Sequence, residues 1–436
     1  MSRSVLPFRE KGSLFSLSDR QHLTFSVKSA IILSGFKNYR EGRDTMKTKH
    51  VKRRHSVFFA LARALVAPFL ARRYGYKKTV YPSSKHKQYL ILSNHQTLLD
   101  PALLAMNFKS AVYFIASDTL WNGSFVSRLL MYCFAPIKKR KAMADVSCIR
   151  TCLRVAKEGG TIAVFPEGNR SWTDTPLYID PAICQLVRVL KLPLLLHRFE
   201  GGYGVDPRWS GSLRRGAFRG YVARELSVEE IAALSDEALY KIICDTLGVV
   251  DAESGSSYAS PRRAEYAERL LFVCPRCHAL STMHSKGNLI SCDKCNLTVY
   301  YREDTRLSSP DKDFSLGTLE EWAAFQRETV KSYADKKESV SLSDDGVLLY
   351  DKTSEKRKEL AKGNLSLSSS ALSLGSLVIP VQDIVSATVV GGKQLVVNTK
   401  ERSYSFIGDD RFNAIKYVLF FHVLDTSMKE DKYYGL

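Results

Sequence analysis

Apolar residues follow three different rhythms along this chain. They run unbroken at Gln88-Tyr89-Leu90-Ile91-Leu92-Ser93 and again at Thr161-Ile162-Ala163-Val164-Phe165. Short continuous runs of this kind predict buried strands. Between the basic residues Lys47, Lys49, Lys52, Arg53 and Arg54 and the pair Arg72-Arg73, the positions Phe58, Leu61, Leu65 and Phe69 recur at helical spacing. That stretch predicts an amphipathic helix with a basic flank. Towards the C-terminus the rhythm becomes short and alternating. Val340 to Leu342, Val347 to Tyr350, Asn364 to Leu367, Ala371 to Leu374, Gln394 to Val397 and Tyr404 to Phe406 each predict a strand. Phe412, Ile415, Leu419 and His422 then mark one closing helix.

Two polar constellations sit where the buried runs end. Asn94-His95-Gln96-Thr97-Leu98-Leu99-Asp100 follows the first run, and Phe165-Pro166-Glu167-Gly168-Asn169-Arg170-Ser171 follows the second. In open α/β sheets, sites are assembled at such strand ends. His95 can take a proton from an attacking alcohol, and a positioned base of this type contributes about 10²–10⁴-fold. Asp100 would hold the other ring nitrogen and set the tautomer. No serine or cysteine stands in a Gly-x-Ser-x-Gly elbow. Direct attack by the acceptor on a thioester is therefore expected, without an acyl-enzyme. Arg170 and the cluster Lys138-Lys139-Arg140-Lys141 are candidates for a phosphate on that acceptor, Arg as a fork and Lys as a point charge.

These residues resemble the glycerolipid acyltransferases, the lysophosphatidic acid acyltransferase or PlsC-like group. Asn94, His95 and Asp100 match the family's Asn-His-x4-Asp motif. Residues 165–171 match Phe-Pro-Glu-Gly-Thr-Arg-Ser with Asn169 in place of Thr. Ala135-Pro136-Ile137-Lys138-Lys139-Arg140 fills the place of the second motif: spacing favours Lys139, residue type Arg140. Leu192 to Leu196, around Pro193, resembles the fourth. The resemblance implies an α/β fold with a mixed sheet flanked by helices over residues 82–224. It also implies acyl transfer from acyl-CoA or acyl carrier protein to lysophosphatidic acid, in phospholipid synthesis. Glycerol 3-phosphate or another lysolipid is the alternative acceptor. Glu167 and Gly168 are assigned to the acceptor site by resemblance alone.

A third constellation is Cys274-Pro275-Arg276-Cys277 with Cys292-Asp293-Lys294-Cys295. Two Cys-x2-Cys pairs at this separation predict a zinc ribbon over residues 271–302 with a closed, structural site. Gly287-Asn288 supplies its hairpin turn. His278 and His284 are left out of the ligand set. The other five cysteines, Cys133, Cys148, Cys152, Cys184 and Cys244, lie among apolar residues and read as core thiols. Unpaired thiols with a tetrathiolate site imply a reducing compartment.

The remaining expectations concern organisation. Residues 225–270 read as a helical linker, opened by a capping box at Ser227-Val228-Glu229-Glu230 and ending in a helix from Arg262 to Leu271. Thr318-Leu319-Glu320-Glu321 caps a short helix through Trp322 and Phe325. Residues 335–427 resemble a pleckstrin-homology or GRAM-like domain in their pattern of elements. At 436 residues the chain is long enough for several domains.

Its net charge of +19 is uneven: residues 1–54 hold 13 Lys or Arg against 4 Asp or Glu. Residues 1–45 show no periodicity and read as disordered or as a mis-assigned start before Met46. Residues 46–81 read as a membrane-associating segment, with an anionic leaflet as partner. No apolar run approaches ~18 residues and no signal peptide is expected. The expected location is cytoplasmic, peripheral at the inner face of the membrane. The alternative for the amphipathic helix is packing on the catalytic domain. A nucleic-acid or protein-binding module on an inactive lipid-binding scaffold is the competing class. Few cations lie in the ribbon (Arg276, Lys286 and Lys294), and His95 and Asp100 are intact, so no nucleic acid is expected.

Overall fold

The computed structural model describes residues 49–82, 88–117, 125–139, 145–335, 341–353 and 358–424. Residues 1–45, Arg140 and Val340, on which expectations fell, lie outside these ranges.

The first sheet is built from β1 (Tyr76–Lys78), β2 (Leu90–Ser93), β3 (Val112–Ser117), β4 (Ile137–Lys139), β5 (Thr161–Val164), β6 (Leu194–Glu200) and β7 (Phe218–Leu226). Their order is β1-β7-β6-β2-β5-β3-β4. Every neighbouring pair is parallel except β6 and β7, so the sheet is mixed, as expected. The two unbroken apolar runs are β2 and β5, adjacent at its centre and buried at every position. Burial on both faces is why they carry no polar alternation.

The helices of this part are α1 (Arg53–Leu65), α2 (Ala67–Tyr74), α3 (Asp100–Ala105), α4 (Phe125–Phe134), α5 (Val146–Lys157), α6 (Ile183–Leu190), α7 (Gly202–Val205), α8 (Val228–Ala233) and α9 (Asp236–Leu247). The capping box forms as predicted, Ser227 and Glu230 exchanging bonds at the start of α8. The single amphipathic helix expected over residues 57–70 is instead two, bent by 46° between α1 and α2. Pro68 stands in the first turn of α2. It lacks an N–H and its ring clashes with the preceding turn, so the helix restarts there. Phe59, Leu70 and Tyr74 pack inward, while Leu65 is 74% and Phe69 63% exposed. The pair is therefore both docked on the sheet domain and apolar towards solvent. Among the described residues, no single helix is long and apolar enough to cross a membrane.

The cysteine pairs lie on a four-stranded antiparallel sheet of β8 (Met283–Lys286), β9 (Leu289–Cys292), β10 (Thr298–Tyr301) and β11 (Leu307–Ser308). The helix expected from Arg262 to Leu271 does not form; only Ala267–Arg269 makes a 3-10 turn. Tyr266 takes a left-handed φ of 72°, the Ala264 amide donates to Gly287 O, and the Ala267 amide is shared between Ala264 O and Ser285 Oγ. The short helix after this sheet is a long one, α10 (Leu319–Asp335). Its start is capped by the Thr318 hydroxyl, which accepts from Glu321 N at 3.1 Å.

A third sheet closes the chain. It comprises β12 (Ser341–Asp351), β13 (Lys358–Ser368), β14 (Ala371–Leu374), β15 (Leu377–Pro380), β16 (Ile384–Val390), β17 (Gln394–Thr399) and β18 (Ser403–Ile407), followed by α11 (Ala414–Leu424). All its pairs are antiparallel, in the order β15-β14-β13-β12-β18-β17-β16. The alternating segments fall in these strands as predicted; β15 and β16 were not foreseen. Ala414 to Phe421 are all buried, so α11 has no solvent stripe. Its Lys416, 2% exposed, pairs with Asp344 at 2.7 Å and donates to Ser281 at 3.0 Å. One apolar core runs from Trp172 and Trp209, at the rim of the first sheet, through the cysteine-bearing sheet and into the third.

Candidate active site

His95 and Asp100 are held together by the turn between β2 and α3. The Asp100 carboxylate is fully buried at the first position of α3. Its Oδ2 accepts from His95 Nδ1 at 2.8 Å, from Gln96 N at 2.6 Å and from Thr97 N at 2.9 Å. Its Oδ1 accepts from the Thr97 hydroxyl at 2.5 Å. A buried carboxylate needs such partners. The two backbone donors also fold the loop that carries His95, so the acid orients the ring and shapes the turn at once. With Nδ1 engaged, Nε2 is the nitrogen left for chemistry.

Asn94 ties this turn to the neighbouring strand. Its side chain donates to Phe199 O at 2.9 Å and accepts from Phe199 N at 2.8 Å. Gln96 reaches the other way, its Oε1 accepting from Gly202 N at 2.9 Å. The loop is thus anchored on β6 and on the start of α7.

The second motif follows β5 and closes over the first. The rings of Phe165 and His95 stack with centroids 4.5 Å apart. Glu167 accepts from His95 N at 3.2 Å and from Leu177 N at 3.4 Å. Burial pushes its carboxyl up to about 8, against the two amides that favour the charged form. Gly168 makes the turn with φ +71°, which side chains other than glycine's rarely adopt.

Arg170 is largely committed to the protein. It donates Nε to Gln96 O at 3.2 Å and Nη2 to Asp206 O at 2.7 Å, and lies 3.5 Å from the Asp206 carboxylate. Its Nη1 group has no hydrogen-bond partner among the described residues. Lys139 is exposed at the carboxyl end of β4, the same edge of the sheet. Two strands, β5 and β3, separate β4 from the strand of His95, roughly 14 Å at ~4.8 Å per step. The structure therefore brings Glu167 and Arg170 to His95 and leaves Lys139 at the far side of the edge.

Three residues of the site carried no clear sequence signal. Thr97 lies inside the first motif and only its hydroxyl contact shows its part. Asp174, whose carboxyl is raised by burial and by the neighbouring Asp251, accepts from Asp251 N at 2.8 Å and Ala252 N at 2.5 Å and lines the cleft beside His95. Arg208 is buried, with its guanidinium 4.3 Å over the Trp172 ring. It donates to Arg170 O and to Val389 O, both at 2.9 Å, and so links the Arg170 loop to β16.

The four cysteine sulfurs, Cys274, Cys277, Cys292 and Cys295, lie within 4.8 Å of one another. Cys274 to Cys295 is 3.6 Å and Cys277 to Cys292 is 3.7 Å. A tetrahedron with metal–sulfur bonds of ~2.3 Å has edges of ~3.8 Å, so the set can hold a metal ion. His284 is engaged by Asp293 at 2.7 Å and His278 packs on Phe325.

Comparison with known proteins bears on the first sheet. Residues 75–195 match the family described as Acyltransferase. A chloroplastic 1-acyl-sn-glycerol-3-phosphate acyltransferase of Brassica napus is 25% identical over 157 residues, 35% of this chain and 44% of the relative. The chain thus spans less than half the length of that relative. The crystal structure of PlsC from Thermotoga maritima, a 1-acyl-sn-glycerophosphate (LPA) acyltransferase, is 19% identical with a TM-score of 0.35, covering 50% of this chain and 85% of that one. The stretch that is similar to the acyltransferase family, residues 75–195, contains the His95–Asp100 pair.

Proposed function

We propose that this protein is a membrane-surface enzyme that moves a fatty acyl group from acyl-CoA or acyl carrier protein to the free hydroxyl of lysophosphatidic acid. Glycerol 3-phosphate or another lysolipid is the alternative acceptor. The observation that carries the reading is the 2.8 Å contact from Asp100 to His95 Nδ1, at the strand end where the family match lies.

Nε2 takes the acceptor's hydroxyl proton as its oxygen bonds to the thioester carbon. The tetrahedral adduct then expels the thiolate, which recovers the proton from the imidazolium. The new ester and the free thiol balance the reaction. Asp100 stabilises the imidazolium between these steps. Glu167 and Gly168 shape the acceptor side, and Arg170 meets the acceptor's phosphate.

The four cysteines suit one structural zinc ion, which would tie the two Cys-x2-Cys turns together. We read the third sheet with α11 as a pleckstrin-homology or GRAM-like domain. The exposed Leu61, Leu65 and Phe69, with the cations at the start of α1, support contact with an anionic bilayer. Our reading of its location is peripheral, at the cytoplasmic face of a membrane.

The test is transfer from labelled acyl-CoA and acyl carrier protein to lysophosphatidic acid in mixed micelles, native protein against His95→Ala. Transfer that vanishes in the variant is expected. Equal transfer by both would remove His95 from the mechanism, and none by the native protein would exclude this acceptor.

A further inference from the structure

A second cleft lies far from His95. It has a volume of about 190 Å³ and is lined by Lys49, His50, Lys52, Arg54, His55 and Arg154, with Ala135. Its surroundings are strand beginnings: Tyr113 near the start of β3, Ala135 just before β4, and Glu158 just before β5. The catalytic motifs follow the opposite, carboxyl ends of β2 and β5. The two sites are therefore on opposite edges of one sheet.

The charge of this cleft is unbalanced. Four cations line it against one carboxylate beside it, Glu158, which accepts from the Val51 amide at 2.7 Å. Among the described residues, Lys49, Lys52 and Arg54 make no ion pair with any carboxylate. Two buried nitrogens are also left over inside. His55 is 1% exposed; its Nδ1 meets Tyr113 Oη at 3.1 Å, and its Nε2 is sealed from solvent without a partner. Arg54 Nε is sealed and unpartnered likewise. A buried polar atom of this kind calls for a partner, which a water or a ligand can supply. The same cleft receives the N-terminus of α1, whose first residue follows Lys52 and whose start has no side-chain cap. The positive end of the helix dipole favours an anion there.

We infer that the start of α1 is a phosphate-binding site, distinct from the catalytic cleft, which takes a phosphomonoester through Arg54, His55 and the lysines Lys49 and Lys52. Geometry favours a lipid as its source. From this site α1 runs into the exposed residues Val57, Leu61 and Leu65, and it packs beside α4 through Phe59 and Phe134, whose ring centroids are 5.0 Å apart. The exposed face of α4 adds Phe125, Val126 and Leu129. A headgroup in the cleft would leave its acyl chains beside this apolar surface. The lipid source rests on the membrane-surface reading above; the phosphate site itself does not.

The test uses the full chain and needs no activity measurement. Inorganic phosphate is titrated calorimetrically at constant ionic strength with chloride as control. Saturable binding of one phosphate is expected, weakened about tenfold or more, the loss of one charge-assisted contact, in Arg54→Gln. Arg54 is packed over Tyr132, so the exposed Lys49→Glu serves as a second variant that does not disturb the core. Vesicles of phosphatidylcholine with and without phosphatidate distinguish the sources. Phosphatidate-dependent binding that falls in both variants identifies the lipid. Phosphate binding without any such vesicle dependence identifies a soluble phosphomonoester. Absence of saturable phosphate binding, or binding unchanged in both variants, overturns the site.

Discussion

The imidazole of His95 lies against the ring of Phe165, its centroid 4.5 Å away and its plane 26° from parallel. Phe165 is in turn stacked 6.2 Å from Phe114 of β3. The base is thus held from two sides, by the Asp100 carboxylate at Nδ1 and by an aromatic wall on one face. Phe165→Ala leaves the carboxylate contact and removes the wall. Turnover should fall by roughly 10- to 100-fold, the scale of a small misplacement of a catalytic group, with KM for the acceptor moving less. Unchanged turnover would mean that the Asp100 contact alone fixes the ring.

Asp100 accepts four hydrogen bonds, and an amide can serve only part of them. Asp100→Asn should lower kcat by about 10²–10⁴-fold, because the tautomer is no longer fixed and the imidazolium no longer stabilised. It should also cost about 1–3 kcal/mol of stability for donors left unsatisfied. Steady-state kinetics beside a thermal melt separates the two effects. A melt shifted without loss of kcat would confine Asp100 to shaping the turn.

Glu167 makes a prediction about pH. Burial raises its carboxyl from 4.5 to about 8, so between those values the native protein keeps a proton that the unfolded chain has released. Where the unfolded state binds fewer protons, stability falls as pH rises. Glu167→Gln removes this titration. Melting curves of native protein and variant should run together below pH ~4.5, and the native protein should lose ground steadily up to pH ~8. A constant difference across that range would show that Glu167 is charged in the native state.

The cysteine set predicts metal content. Purified protein should carry about one zinc per chain, and Cys277→Ser should lower that content. Chelation should lower the melting temperature, since a structural site folds with its metal. Lys416 and α10 pack on this sheet, so the loss should spread into the third sheet. A metal-free native protein with an unaltered melt would sink the zinc assignment.

What could be read from the sequence was what is local along the chain. The buried strands around Ile91 and Ile162, the capping box of Ser227 and Glu230, the contact of His95 with Asp100 five positions on, and the two Cys-x2-Cys turns are each set within a few residues. There backbone geometry alone limits the outcomes, so spacing is a reliable guide. Most of the alternating strands of the third sheet were legible for the same reason.

What only the tertiary structure decided joins residues distant in sequence. The stacking of Phe165 on His95 spans 70 positions. Arg208 reaches 181 positions to Val389, and it carried no motif. The expected helix from Arg262 to Leu271 gives way to one 3-10 turn, with Tyr266 at a left-handed φ and the Ala264 amide bonded to Gly287 O of the β8–β9 hairpin. The cations at the start of α1 read as a flank for an anionic leaflet, and only the tertiary structure shows them lining a cleft with Ala135 and Arg154 of α5. Local propensities are worth tenths of a kcal/mol per residue and yield to packing and buried hydrogen bonds worth more. Spacing can therefore name the reacting pair, while the walls that hold it and the clefts beside it are decided only when distant segments share a core.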